Sequence, residues 1–75
     1  MAVDVLLEAR RKLAKRIREL RKKRGWTQQE LADKADLAMR HIQRLESGKP
    51  PAIELDSMVK LAKAFQITLS TLLDF

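Results

Sequence analysis

Residues 27–46 read TQQELADKADLAMRHIQRLE, and the punctuation of this stretch decides the fold. Thr27 and Glu30 stand in the spacing of a capping box: the Thr27 hydroxyl can accept from the Glu30 amide, and the Glu30 carboxylate can accept from the Thr27 amide. Trp26 before the cap and Leu31 four positions after it are placed for a hydrophobic staple. The pattern predicts a short helix over Gln28–Ala35 and a tight turn at Asp36, a residue type that tolerates the left-handed conformation better than most. A second short helix then runs over Met39–Glu46, with Ile42 and Leu45 facing inward.

Outward from this pair the chain continues in helical periods. Before it, Leu6, Ala9, Leu13, Ile17 and Leu20 recur at three- and four-residue spacing, an amphipathic helix over Val5–Arg24. Asp4 stands as its N-cap, and Gly25 supplies the left-handed stop. After the pair, Ser47-Gly48-Lys49-Pro50-Pro51 breaks the chain. A fourth helix over Leu55–Phe65 is expected to turn Leu55, Met58, Val59, Ala62 and Phe65 inward. Thr68 can cap a last short turn through Leu69, Leu72 and Leu73. Nothing alternates with a period of two, so no strand is expected. The reading is all-α: a compact five-helix domain over 1–75, with a long first helix and no linker or repeat.

Composition narrows the function. The 75 residues contain no Cys, one His and two Gly, so thiol nucleophiles, thiolate metal sites and glycine-rich phosphate cradles lack their raw materials. Neither a nucleophile–base pair nor metal-ligand spacing can be assembled, and neither an enzyme nor a cofactor is expected. No apolar run reaches the length of a membrane span, and no apolar secretory core follows the start. A reducing, cytoplasmic location is expected. The net charge of +6 is uneven. The first 24 residues hold ten Lys/Arg against three Asp/Glu, and the remainder six against seven. Such a basic half suits a polyanionic partner, although a solvated helix face gives the same count.

The second helix of the central pair sharpens that choice. Two short helices across a tight turn have the size of a DNA-binding helix-turn-helix. Here the outward face carries Met39, Arg40, Gln43 and Arg44. Arg can pair bidentately with guanine and Gln with adenine, while Ala38 is small enough to meet a thymine methyl. The Arg10-Arg11-Lys12 and Arg21–Arg24 clusters suit long-range attraction with some backbone contacts, and imply a steep salt dependence. His41 reads as a surface or partly buried polar residue, and Trp26 as a core residue, since one aromatic makes no single-strand track.

RIRELRKKRGWTQQELADKA (16–35), RLESGKP (44–50), LAKAF (61–65) and LSTLL (69–73) together resemble the lambda-repressor/Cro-like, Xre-type helix-turn-helix domain. The resemblance covers about Leu13 to Leu73. It implies a five-helix domain that binds double-stranded operator DNA as a homodimer on a palindromic site, in a repressor or controller of prokaryotic or phage type. By position, it implies that Gln28 and Lys49 contact phosphates, and Thr27 beside Gln28 is expected to do the same. Ala38, Met39, Arg40 and Arg44 would face bases, joined by Gln43 from its place on the outward face, and Arg21 would pair with Glu46 to lock helices together. The chain departs from the pattern at Asp36 and Gln66, where the family prefers Gly, and at Ala38, where it prefers a capping side chain. The first helix also starts about two turns early.

Two other functions fit parts of the sequence. Similar domains serve as protein-interaction modules, as antitoxins or transcriptional bridging factors. A basic amphipathic helix lying on an anionic membrane would use only the first 24 residues and leave the capped pair unexplained. For a homodimer the candidate surfaces are Val3, Val5, Leu6 and Leu7 at one end, and Leu69, Leu72, Leu73 and Phe75 at the other. No effector domain and no small-molecule ligand are expected.

Overall fold

The computed structural model describes residues 2–75, with side chains from Val5 onward. Five helices follow one another: α1 (Ala2–Lys23), α2 (Gln28–Ala35), α3 (Met39–Leu45), α4 (Leu55–Phe65) and α5 (Leu69–Leu72). No strand occurs among the described residues. The centre is apolar: Ile17, Leu31, Ile42, Leu61, Phe65 and Leu72 are sealed from solvent. α2 packs on both α3 and α4, and α4 on α5, while α1 sends Leu13 and Ile17 into the shared core.

Local chemistry explains the boundaries. Thr27 has extended backbone and its hydroxyl accepts from the Glu30 amide at 3.1 Å. The Glu30 carboxylate accepts from the Thr27 amide at 2.9 Å, which closes the capping box. Three helices end alike. After α1 the Gly25 amide donates to the Lys22 carbonyl and the Trp26 amide to that of Arg21. After α2 the pair runs from Asp36 to Asp33 and from Leu37 to Ala32, and after α4 from Gln66 to Lys63 and from Ile67 to Ala62. These are Schellman closures, which require a left-handed residue. Gly25, Asp36 and Gln66 adopt φ of 71°, 54° and 58°.

Three expectations are corrected, and the burial of the α1 stripe is located. α1 begins at Ala2, ahead of Asp4, so Asp4 lies within the helix instead of capping it. Val3, offered as part of a dimer surface, has its side chain outside the described residues. The α1 stripe is buried only from Leu13 onward, and Leu6 is 52% exposed, because the rest of the chain packs beside the later turns alone. On α4, Leu55 and Val59 face solvent, while Ser57, Leu61, Ala62 and Phe65 are buried. At about 100° per residue the buried arc centres between Leu61 and Met58, and Leu55 and Val59 lie about a quarter-turn or more beyond it. Finally, Leu72 is fully buried, so it is a core residue and not part of an open C-terminal surface.

Candidate nucleic-acid interface

α3 is a seven-residue helix anchored from behind. Ile42 and Leu45 point into the core and are 0% and 2% exposed. Residues three and four apart share a face, so Arg40, Gln43 and Arg44 fall together on the opposite side, where all three are exposed. Their side chains make no hydrogen bond or ion pair among the described residues. Met39 differs from the other outward residues: it is half-buried and packs against the core. Ala38, exposed at the N-cap with extended backbone, offers no capping bond. His41 is half-buried on the flank.

Behind this face, a charged node fixes the angle between helices. Arg21 on α1 meets Glu46 bidentately, Nε to Oε2 at 2.7 Å and Nη2 to Oε1 at 2.9 Å. Its Nη1 donates to the Trp26 carbonyl at 2.8 Å. The two side chains are 12% and 3% exposed, so the pair is largely shielded from solvent screening. Hydrogen bonding to Glu46 holds the Arg21 guanidinium above its ordinary pKa, against the opposing pull of burial. Gln28 joins the node, its Nε2 donating to Glu46 Oε1 at 3.3 Å. One carboxylate thereby ties α1, the start of α2 and the end of α3.

The remaining named residues lie around this frame. Thr27 is exposed, with its hydroxyl and amide engaged in the capping box. The loop after α3 is folded back on the helix: Ser47 Oγ donates to the Arg44 carbonyl at 2.7 Å and accepts from the Lys49 amide at 3.3 Å. That bond positions the exposed Lys49 beside the end of α3.

The basic cluster at the end of α1 is partly spent inside the protein. Besides Arg21, Arg24 donates to the Phe65 carbonyl at 2.7 Å and lies 5.7 Å from the centre of the Trp26 ring. Trp26 itself stacks on Phe65, with centroids 5.6 Å apart and planes 9° from parallel, and Lys34 covers its ring at 4.9 Å. Arg16 donates to the Thr71 carbonyl at 3.0 Å and so ties α1 to α5. Sequence reasoning missed these roles. The partners lie far along the chain, and nothing local in a run of Arg and Lys says which one turns inward. The apolar face of α1 is also engaged from Leu13 onward, since Leu13, Ala14 and Ile17 are buried in the protein's own core while Val5 and Leu6 stay exposed. That leaves the membrane reading only the first turns of the surface it needs. No described helix is long and apolar enough to cross a membrane.

An all-α chain with two short helices held across a left-handed turn, the second exposing Arg and Gln on a rigid back, defines the helix-turn-helix class. The chain belongs to the helix-turn-helix family, whose model matches residues 17–72, in agreement with its lambda-repressor/Cro-like motifs. This is a family of DNA-binding regulators. A curated relative, the competence pilus inhibition repressor of Acinetobacter baylyi, is 41% identical over 61 residues. That match takes in 77% of this chain and 52% of the relative, so the chain spans about half the length of that protein.

Proposed function

We propose that this chain is the DNA-reading part of a transcriptional repressor or controller, working in the cytoplasm as a homodimer on a palindromic double-stranded operator. The observation that carries the reading is the α3 face: Arg40, Gln43 and Arg44 exposed and unpaired among the described residues, on a helix whose other side is locked in the core. A groove-reading helix needs this combination, because side chains that discriminate base edges must be presented from a fixed backbone. In this reading Arg40, Gln43 and Arg44 contact base edges and Ala38 approaches them at the helix start. Met39 contributes only its exposed edge. Gln28, Thr27 and Lys49 hold phosphates and set the register. The Gln28 amide, already oriented by Glu46, needs no further ordering to accept this role. Val5, Leu6, Leu73 and Phe75 from the two expected surfaces remain exposed, as do Leu55 and Val59 on α4, and these are the large apolar groups available for self-association.

The test separates reading from holding. On a duplex enriched from a random pool, Arg44→Ala is expected to cost about 1–3 kcal/mol and to relax preference at one position. Gln28→Ala is expected to weaken selected and scrambled duplexes alike. Equal losses on both duplexes for both variants would contradict the assignment. Binding confined to a protein partner, with no duplex affinity, would favour an interaction module instead.

A further inference from the structure

A groove of about 340 Å³ runs between the outer face of α1 and the loop that follows α3, lined by Arg11, Ala14, Lys15, Arg18, Glu46, Ser47 and Gly48. Its charge is almost entirely positive. The Glu46 carboxylate is 3% exposed and committed to Arg21, and Lys15 reaches only the exposed Glu19 at 3.9 Å. Arg11 and Arg18 make no ion pair among the described residues, and both are exposed. Seven residues apart on one helix, they share a face at an axial separation of about 10 Å. Along the duplex axis each strand carries one phosphate per roughly 3.4 Å, so cations about 10 Å apart can meet separate phosphates.

The groove opens where the end of α3 delivers the chain into the Ser47–Lys49 loop. A helix seated in the major groove meets a strand backbone at the point where it leaves. With α3 docked in a major groove, residues lining this groove would lie along the continuation of that strand, outside the base pairs beneath α3. Arg11 lies outside the matched 17–72 segment, on the part of α1 whose apolar residues are not needed for the core.

We infer that Arg11 and Arg18 form a second, sequence-independent phosphate site, which grips the operator backbone beyond the base pairs read by α3 and lengthens the chain's footprint. The inference rests on the DNA-reading role proposed above. Each cation acts by displacing condensed counterions, so it contributes to affinity and salt dependence and leaves base preference alone.

The experiment measures affinity against salt for the selected duplex, with native flanks and with the flanks trimmed to the recognised base pairs. For Arg11→Gln/Arg18→Gln on the long duplex, two lost phosphate contacts in each protomer of the dimer, four in all, should make the affinity loss between 50 and 200 mM salt about a hundredfold smaller than in wild type. Trimming the flanks should do the same to wild type and nothing further to the variant. Arg11→Lys/Arg18→Lys should restore the wild-type slope. Lys60→Gln/Lys63→Gln, a charge-matched control in the separate cleft beside Trp26, should leave the slope unchanged. A wild-type slope in the double Gln variant, or an equal drop in the control, overturns the flanking site while the reading role of α3 stands. No duplex binding by the wild type overturns both.

Discussion

Glu46 ties three helices together through a single carboxylate. Its carboxylate accepts from Arg21 twice and from Gln28 once while almost fully buried. Removing it leaves the guanidinium without its counter-charge, a loss that in buried pairs costs about 3–5 kcal/mol. Glu46→Ala is therefore expected to lower stability by about 3 kcal/mol in denaturant unfolding. It should also weaken DNA binding more than its distance from the reading face implies, since Gln28 loses its orientation. A double-mutant cycle with Arg21→Met should recover most of the loss. Two independent, additive losses would show that the pair is not coupled.

Glu30 gives a residue-scale effect in pH. Hydrogen bonds from Thr27, the backbone amide first, hold its carboxyl below the ordinary value in the folded chain. A depressed folded pKa means that the unfolded state takes up the proton first. The stabilisation is then fully present above the ordinary carboxylate pKa and is lost as pH falls through the lowered folded value. The stability gap between wild type and Glu30→Gln should close across that acidic window and stay constant above it. A gap independent of pH would mean that the capping box contributes nothing through its charge.

At the scale of elements, stops and starts decide the fold, and they were the most legible feature of the sequence. α2 and α4 occupy the residues the pattern predicts, because the Thr27–Glu30 box and the left-handed stops are local chemistry written within a few residues. Asp36 and Gln66 accept positive φ where Gly would do so without steric cost. Asp36→Gly is expected to stabilise the protein by about 0.5–1 kcal/mol, the relief of a left-handed non-glycine partly offset by the freer unfolded chain. Ala38→Ser should add about 0.5–1 kcal/mol by capping α3, whose first turn lacks a side-chain acceptor. Thermal unfolding checks both, and a fall in midpoint for either would refute the strain or the cap. The buried face of α4 was less legible. Leu55 and Val59 continue an apolar stripe that helical spacing alone cannot distinguish from the one built on Leu61 and Phe65. Only the position of α2 selects between them. For the same reason the stack of Trp26 on Phe65, and the Arg24 contact that closes it, left no local trace.

At the scale of the whole molecule, five of the ten cations in the first 24 residues fall into two contrasting groups. Arg16, Arg21 and Arg24 are tied to α5, to the end of α3 and to the end of α4, and brace the bundle. Arg11 and Arg18 stay in solvent on the side of the α3 loop. The basic half was visible from composition. Its division into bracing and solvent-facing groups was not, because that depends on which way each Arg turns once the helices meet. A basic, rigid face beside an uncommitted Arg/Gln helix is suited to attract a duplex by charge and then read it by base contacts.

If α3 reads base sequence, selection of binding sites from a random duplex pool at near-physiological salt will show it. The expected result is enrichment of a palindrome whose half-sites lie about one helical turn apart. That preference should collapse at one position per half-site in Arg44→Ala. Recovered duplexes no richer in any sequence than the starting pool would contradict it, and would leave Arg40 and Arg44 as contacts to the backbone alone.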